Sequence, residues 1–159
     1  MWTYYGTKKK IAKHYPTPLH DKIIEPFAGA AQYSLYGDNW KKDVLLIDKY
    51  DVITDLWKYL INATPQDILS LPDMGEGENV DTHTHLCKEE KYLIGFCINS
   101  GSAQPKKTVK KFNCWNRSKI SIAEIFTDLI SKLVDKKEAR RLSRYCDNRL
   151  QYWCSQKLI

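Results

Sequence analysis

The chain has 159 residues, a hydrophobic share of 43% and a formal net charge of +6, which is one domain's worth of sequence with enough apolar material for a core. No stretch reaches the roughly 18 consecutive apolar residues of a membrane span, and Met1-Trp2-Thr3-Tyr4 lacks the apolar run of a secretory signal, so no membrane partner is expected. The five cysteines, Cys87, Cys97, Cys114, Cys146 and Cys154, are odd in number and widely spaced; free thiols in a reducing cytoplasm are the expectation.

Residues 1–20 read as a loop in which Lys8-Lys9-Lys10-Ile11-Ala12-Lys13 forms one or two helical turns before Pro16 and Pro18 stop it. Residues 23–27 read as a first strand, with Pro26 tolerated at its end. Ala28-Gly29-Ala30-Ala31 supplies a tight small-residue turn. A first helix is predicted over 30–36, capped by Gly37. The run Val44-Leu45-Leu46-Ile47 then gives a second strand over 44–48 that ends in Asp48. Its four consecutive apolar residues suit a strand covered on both faces, as in a parallel sheet.

A strand, a glycine turn, a helix and an acid-closed second strand make up the nucleotide-binding half of a doubly wound sheet. Small residues let the backbone approach a ligand closely, and the acid can accept hydrogen bonds from both ribose hydroxyls. A dinucleotide fold wants G-x-G-x-x-G, so that pyrophosphate sits on the helix N-terminus. Here Gly29 is alone and Glu25 precedes the turn, a poor neighbour for pyrophosphate. The pattern therefore favours a nucleoside ligand carrying a positive or neutral group over a nicotinamide cofactor.

Further along, Ile53, Leu56, Trp57, Leu60 and Ile61 fall at helical spacing and predict an amphipathic helix with a core-facing stripe. Thr64-Pro65-Gln66-Asp67 combines an N-cap, a proline and an acid, which starts a short helix over 65–71. Residues 72–85, with Pro72, Gly75 and Gly77, read as a loop and a candidate boundary. His83, His85 and Cys87 alternate there, but structural zinc sites come as paired or spaced ligands, and surface polar residues are the favoured reading. A helix over 88–98 carries Glu89 and Glu90 at its start, where they suit the dipole, and Asn99-Ser100-Gly101-Ser102 breaks it. Ser121-Ile122-Ala123-Glu124 is a capping box ahead of a helix with Ile122, Ile125, Phe126, Leu129, Ile130 and Leu133 on one face. A basic helix is predicted over 136–152.

The charge is split along the chain. Residues 1–105 hold 11 Lys+Arg against 14 Asp+Glu, and residues 106–159 hold 14 against 5. An acidic ligand-binding half and a basic half facing a polyanion would look like this, as would a set of solvated lysine-rich surfaces. In the basic half Lys106, Lys107, Lys110, Lys111 and Arg117 interleave with Phe112 and Trp115, while Arg140, Arg141 and Arg144 share a helix face; phosphate anchoring beside base contact is the functional reading.

Glu25-Pro26-Phe27-Ala28-Gly29-Ala30-Ala31 resembles the first motif of the S-adenosylmethionine-dependent DNA adenine methyltransferases of the Dam-like class. Tyr4-Tyr5-Gly6-Thr7-Lys8 resembles their N-terminal aromatic-x-Gly-x-Lys element, and Asp48 matches the acid of their second motif. The resemblance covers roughly the first 60 residues well and the rest loosely. It implies an α/β, Rossmann-like methyltransferase sheet, incomplete here, with an appended helical basic subdomain: a cofactor portion over 1–75 and a DNA target-recognition region over 76–159. S-adenosylmethionine is then expected against Tyr5, Gly6, Lys8, Glu25, Phe27, Gly29 and Asp48, and double-stranded DNA against Lys106, Lys107, Lys110, Lys111, Arg117, Arg140, Arg141 and Arg144. The family's Asp-Pro-Pro-Tyr (or Asn-Pro-Pro-Tyr) motif, which grips a flipped-out adenine, occurs nowhere in residues 1–159. The favoured expectation is a piece of a longer enzyme, inactive alone and prone to self-association. The alternative is a non-catalytic nucleic-acid-binding module on the same scaffold.

Overall fold

Strand β1 occupies Lys22–Pro26 and strand β2 Asp43–Ile47. They lie side by side in parallel, with Ile23 opposite Val44 and Glu25 opposite Leu46. In this computed structural model Trp2 and residues 4–98 and 101–110 are described in full, and residues 119–120 and 146–147 by their backbone alone. The protein is mixed α/β: a small parallel sheet accompanied, among the described residues, by the helices α1 (Asp51–Asn62), α2 (Pro65–Leu69) and α3 (Lys88–Cys97). No helix among the described residues is long and apolar enough to cross a membrane. The chain divides into two compact units: a sheet unit of Thr7–Asn62 with Lys136–Ile159, and an α3 unit of Met1–Gly6 with Ala63–Asp135. This partition interleaves in sequence, where composition had suggested one boundary near residue 75.

In the sheet unit, side chains alternate across the pleat. Ile23, Glu25, Val44 and Leu46 face the core, whereas Ile24 is 57% exposed and Leu45 and Ile47 are half-buried. The sheet is thus covered on one face and half open on the other, and not on both as the apolar run of β2 predicted. β1 is an edge strand among the described residues; its outward Lys22 and terminal Pro26 suit an edge.

The other edge of β2 is taken by β5, Cys146–Asp147, which pairs in parallel with Leu46 and Ile47. These two residues therefore interrupt the basic helix predicted over 136–152. Cys and Asp are weak helix formers, and an open strand edge leaves backbone groups in want of partners.

The segment after β1 also departs from expectation. Residues 29–36 form successive turns instead of a helix. Ala31 sits at φ +45°, in the left-handed region, which ends a right-handed helix before it starts. Gly37 has the left-handed φ of +54° expected of a cap, but with no helix over 30–36 it caps none.

Helix α1 matches its periodicity: Ile53, Leu56, Trp57 and Leu60 are buried, and each aliphatic side chain so buried contributes about 1.5–3 kcal/mol.

In the α3 unit, Thr64 and Asp67 complete the predicted capping box of α2. The Thr64 hydroxyl accepts from the Asp67 amide at 3.2 Å, and the Asp67 carboxylate accepts from the Thr64 amide at 2.7 Å. The Thr64 amide, and the Thr64 hydroxyl at 2.8 Å, both on Asp67 Oδ2, hold the Asp67 carboxyl below its ordinary range. Helix α3 buries Leu93, Ile94 and Phe96. Trp2, inside a stretch read as loop, is buried with its ring stacked 6.5 Å from Phe96, and Tyr4 meets the same ring edge-on at 5.7 Å. The two-residue strands β3 (Met74–Gly75) and β4 (Lys119–Ile120) pair antiparallel. Residues 77–80 also run antiparallel to 107–109, with the Val80 amide donating to the Lys107 carbonyl at 2.7 Å and the Val109 amide to the Glu78 carbonyl at 3.1 Å. The capping-box helix from Ser121 and the aromatic residues Phe112 and Trp115 lie outside the described residues.

Gly95 lets the following segment cross α3 closely. A Cβ there would stand 2.7 Å from the Lys106 carbonyl oxygen and from the Pro105 Cβ. Gly95→Ala gains up to about 1 kcal/mol of helix propensity, but the crossing segment must move away. We expect a net loss of about 1–2 kcal/mol, read as a lower urea midpoint at unchanged slope.

Candidate functional site

The carboxyl ends of β1 and β2 bring together five of the seven residues assigned to the ligand. β1 delivers Glu25 onto its buried face, so the carboxylate is enclosed, with the side chain only 3% exposed. One oxygen, Oε2, accepts from the Ser34 amide at 2.9 Å and from the Ser34 hydroxyl at 2.5 Å. The other, Oε1, accepts no hydrogen bond among the described residues and faces the Lys8 ammonium at 3.7 Å. Lys8 comes from a single 3-10 turn, Lys8–Lys10, its side chain 28% exposed. Its Nζ also donates to the Phe27 carbonyl at 3.1 Å.

The turn itself is unusual. Phe27, Gly29 and Ala31 all have positive φ, at 54°, 50° and 45°. Glycine visits this region freely, whereas residues with a Cβ pay about 1–2 kcal/mol. Such conformations persist only where surroundings fix them, and they cluster at functional sites. Here the Ala28 amide donates to the Ile47 carbonyl at 3.0 Å and the Ala31 amide to the Ala28 carbonyl at 2.7 Å. The Gly29 amide donates to Asp48 Oδ2 at 2.8 Å. The outcome is that the Phe27 ring, 70% exposed, stands out at the end of β1.

Asp48 is buried and uses both oxygens on backbone amides, Oδ2 on Gly29 and Oδ1 on Tyr50 at 2.9 Å. It therefore ties the glycine turn to the start of α1, a role that its place at a strand end did not reveal. Each carboxylate oxygen has a second lone pair, so capacity for a hydroxyl remains. Sequence reasoning also missed Ser34, which carries no motif, and Trp57, which it assigned to the core alone. Trp57 is buried, yet its indole N–H donates to the Gly29 carbonyl at 2.7 Å. A signal existed, since a buried indole N–H usually finds an acceptor.

Tyr5 and Gly6 belong to the α3 unit. The Tyr5 amide donates to the Ser102 carbonyl at 3.3 Å, its side chain is exposed, and Gly6 has φ +77°.

Of the residues assigned to DNA, Lys106, Lys107 and Lys110 are exposed. Lys107 is engaged: its Nζ lies 2.7 Å from Asp81 Oδ2. That hydrogen bond holds the Asp81 carboxyl below its ordinary range and the Lys107 ammonium above its own. Lys111, Arg117, Arg140, Arg141 and Arg144 lie outside the described residues. His83 Nε2 is 2.9 Å from Glu78 Oε1, and among the described residues no group of three His, Cys, Asp or Glu could hold a metal ion.

Comparison with protein families, with curated proteins and with solved structures finds no match to the chain.

Proposed function

We propose that the sheet unit is the cofactor portion of a Rossmann-like DNA adenine methyltransferase, binding S-adenosylmethionine at the carboxyl ends of β1 and β2. The observation that carries the reading is the Lys8–Glu25 pair, its acid two residues before the exposed Phe27, with Glu25 Oε1 accepting no hydrogen bond among the described residues. S-adenosylmethionine ends in an amino acid that bears both charges. Its ammonium suits the Glu25 oxygen that lacks a hydrogen bond, which is enclosed in the free protein and must be uncovered as the ligand enters, and its carboxylate suits Lys8. Adenine suits the face of Phe27, and the ribose hydroxyls suit the remaining lone pairs of Asp48. Tyr5 and Gly6 are assigned by resemblance alone.

The reaction is an in-line displacement in which a bond from the adenine amino nitrogen to the methyl carbon forms as the carbon–sulfur bond breaks, and the amine then gives up a proton. Catalysis of this kind rests on positioning. Because residues 1–159 contain no Asp-Pro-Pro-Tyr, this chain by itself binds cofactor and double-stranded DNA without turnover in our reading.

Calorimetric titration of the chain with S-adenosylmethionine, and separately with a nicotinamide dinucleotide, tests the assignment. Saturable binding of the first and none of the second is expected. Salt-dependent DNA binding with no heat from S-adenosylmethionine would leave only the scaffold reading.

The DNA half of the proposal makes its own prediction. The Asp81–Lys107 pair competes with phosphate for the ammonium. Asp81→Asn is expected to raise affinity for duplex DNA and to steepen the slope of log K against log salt by about one, measured by fluorescence anisotropy. The sign with pH follows from the depressed acid. Its pairing is complete above the ordinary carboxylate value and is lost as pH falls through the lower folded value. Acid therefore brings the unaltered chain toward the variant.

A further inference from the structure

Three of the five residues from Phe27 to Ala31 are left-handed, and two of them carry side chains that disfavour it. Something must hold the turn in this shape against relaxation. The bonds to Ile47, Asp48 and Lys8 act on residues 27–29 from the second strand and from the N-terminal turn. The carbonyl of Gly29 is held from another direction, by the Trp57 indole on α1 at 2.7 Å. Gly29 is thereby gripped through both of its peptide groups, its amide by Asp48 and its carbonyl by Trp57. A peptide flip at this point would have to break a buried hydrogen bond.

We propose that Trp57 is a positioning residue for the ligand site: its indole N–H locks the Gly29 carbonyl and so fixes the left-handed turn that presents Phe27 and Glu25 to an adenosine-bearing ligand. The inference rests on the S-adenosylmethionine reading for its ligand, although the lock itself is a property of the free protein. It adds a role on α1 that touches no ligand atom.

Two substitutions isolate the N–H. Trp57→Phe removes it with part of the ring. Site-specific replacement of Trp57 by benzothienylalanine, in which sulfur takes the place of the indole N–H, removes the donor at nearly constant shape and keeps the test open if the phenylalanine variant folds poorly. The full chain and each variant are titrated with S-adenosylmethionine well below their thermal midpoints, and amide hydrogen exchange is followed in the ligand-free proteins. The expected result is a loss of affinity of about tenfold, with faster exchange at Gly29 and Ala31 and unchanged exchange at Val44 and Leu46. A merely structural role would lower the thermal midpoint and leave the affinity of the folded protein alone. Equal affinity in the isostere and the unaltered chain overturns the role of Trp57, whereas failure of the unaltered chain to bind overturns the reading of the site.

Discussion

Asp48→Ala is expected to destabilise the sheet unit by about 2–4 kcal/mol, because two backbone amides lose a charged acceptor that contributes roughly 1.5–3 kcal/mol each and one of them can turn to water. The two donors are unlike. The Gly29 amide is buried in the turn, and its bond to Oδ2 spans 19 residues of sequence; the Tyr50 amide is part-buried at the entry to α1. The larger share of the loss therefore comes from the turn. A loss of this size is a large fraction of a typical domain stability of about 5–15 kcal/mol. Asp48→Asn keeps one acceptor oxygen but sets an amide NH2 against a backbone N–H, so it falls between alanine and the unaltered chain. Urea unfolding of the three proteins checks the order. Ligand binding separates the two roles of the residue: S-adenosylmethionine affinity should fall in both variants, and in the asparagine variant by more than the stability loss accounts for if the carboxylate also takes the ribose. Full stability in the alanine variant would show that the bonds to Gly29 and Tyr50 hold nothing together.

What was legible in the sequence and what was not divides along physical lines. The α1 stripe and the α2 cap could be read because their signals are local: a 3.6-residue period, and a threonine three residues before an acid. β1 and β2 could be read to within a residue because apolar runs bounded by Pro26 and Asp48 leave few alternatives. The segment after Gly29 could not. Its composition allows a helix, and what prevents one is a set of bonds made with Asp48, Trp57 and Glu25, 9 to 28 residues away in sequence. The same holds for Trp2, whose place beside Phe96 follows from a contact that no window of sequence contains. In the candidate site, motif order identified Lys8, Glu25, Phe27, Gly29 and Asp48. It could not show that Asp48 serves the backbone or that Glu25 leaves a buried oxygen without a hydrogen-bond donor among the described residues, since both depend on which donors the fold brings within reach.

Lys8→Met is expected to cost about 2–3 kcal/mol, below the 3–5 kcal/mol typical of removing one partner of a fully buried ion pair. The reduction has two causes: the Lys8 side chain is 28% exposed, and its ammonium stands 3.7 Å from Glu25 Oε1, outside hydrogen-bond range. Without Lys8 the enclosed carboxylate keeps, among the described residues, the bonds from Ser34, both of them on Oε2, and the Phe27 carbonyl loses the Lys8 donor. The effects of Glu25→Gln are smaller, because an amide oxygen still serves Ser34 and Lys8 can turn toward water. The double variant Lys8→Met with Glu25→Gln should be more stable than Lys8→Met alone, since neutralising the acid removes the buried charge that the first change strands. The four proteins form a thermodynamic cycle whose interaction term is expected to exceed about 1 kcal/mol, beyond the roughly 0.3–0.5 kcal/mol within which independent sites add. Simple additivity would mean that the ammonium and the carboxylate do not feel one another, and the charge pair offered to an amino-acid-bearing ligand would lose its physical basis. Binding gives the complementary readout. Restoring stability with the double variant should not restore affinity for S-adenosylmethionine, because both charges that would meet the ligand's amino-acid end have then been removed.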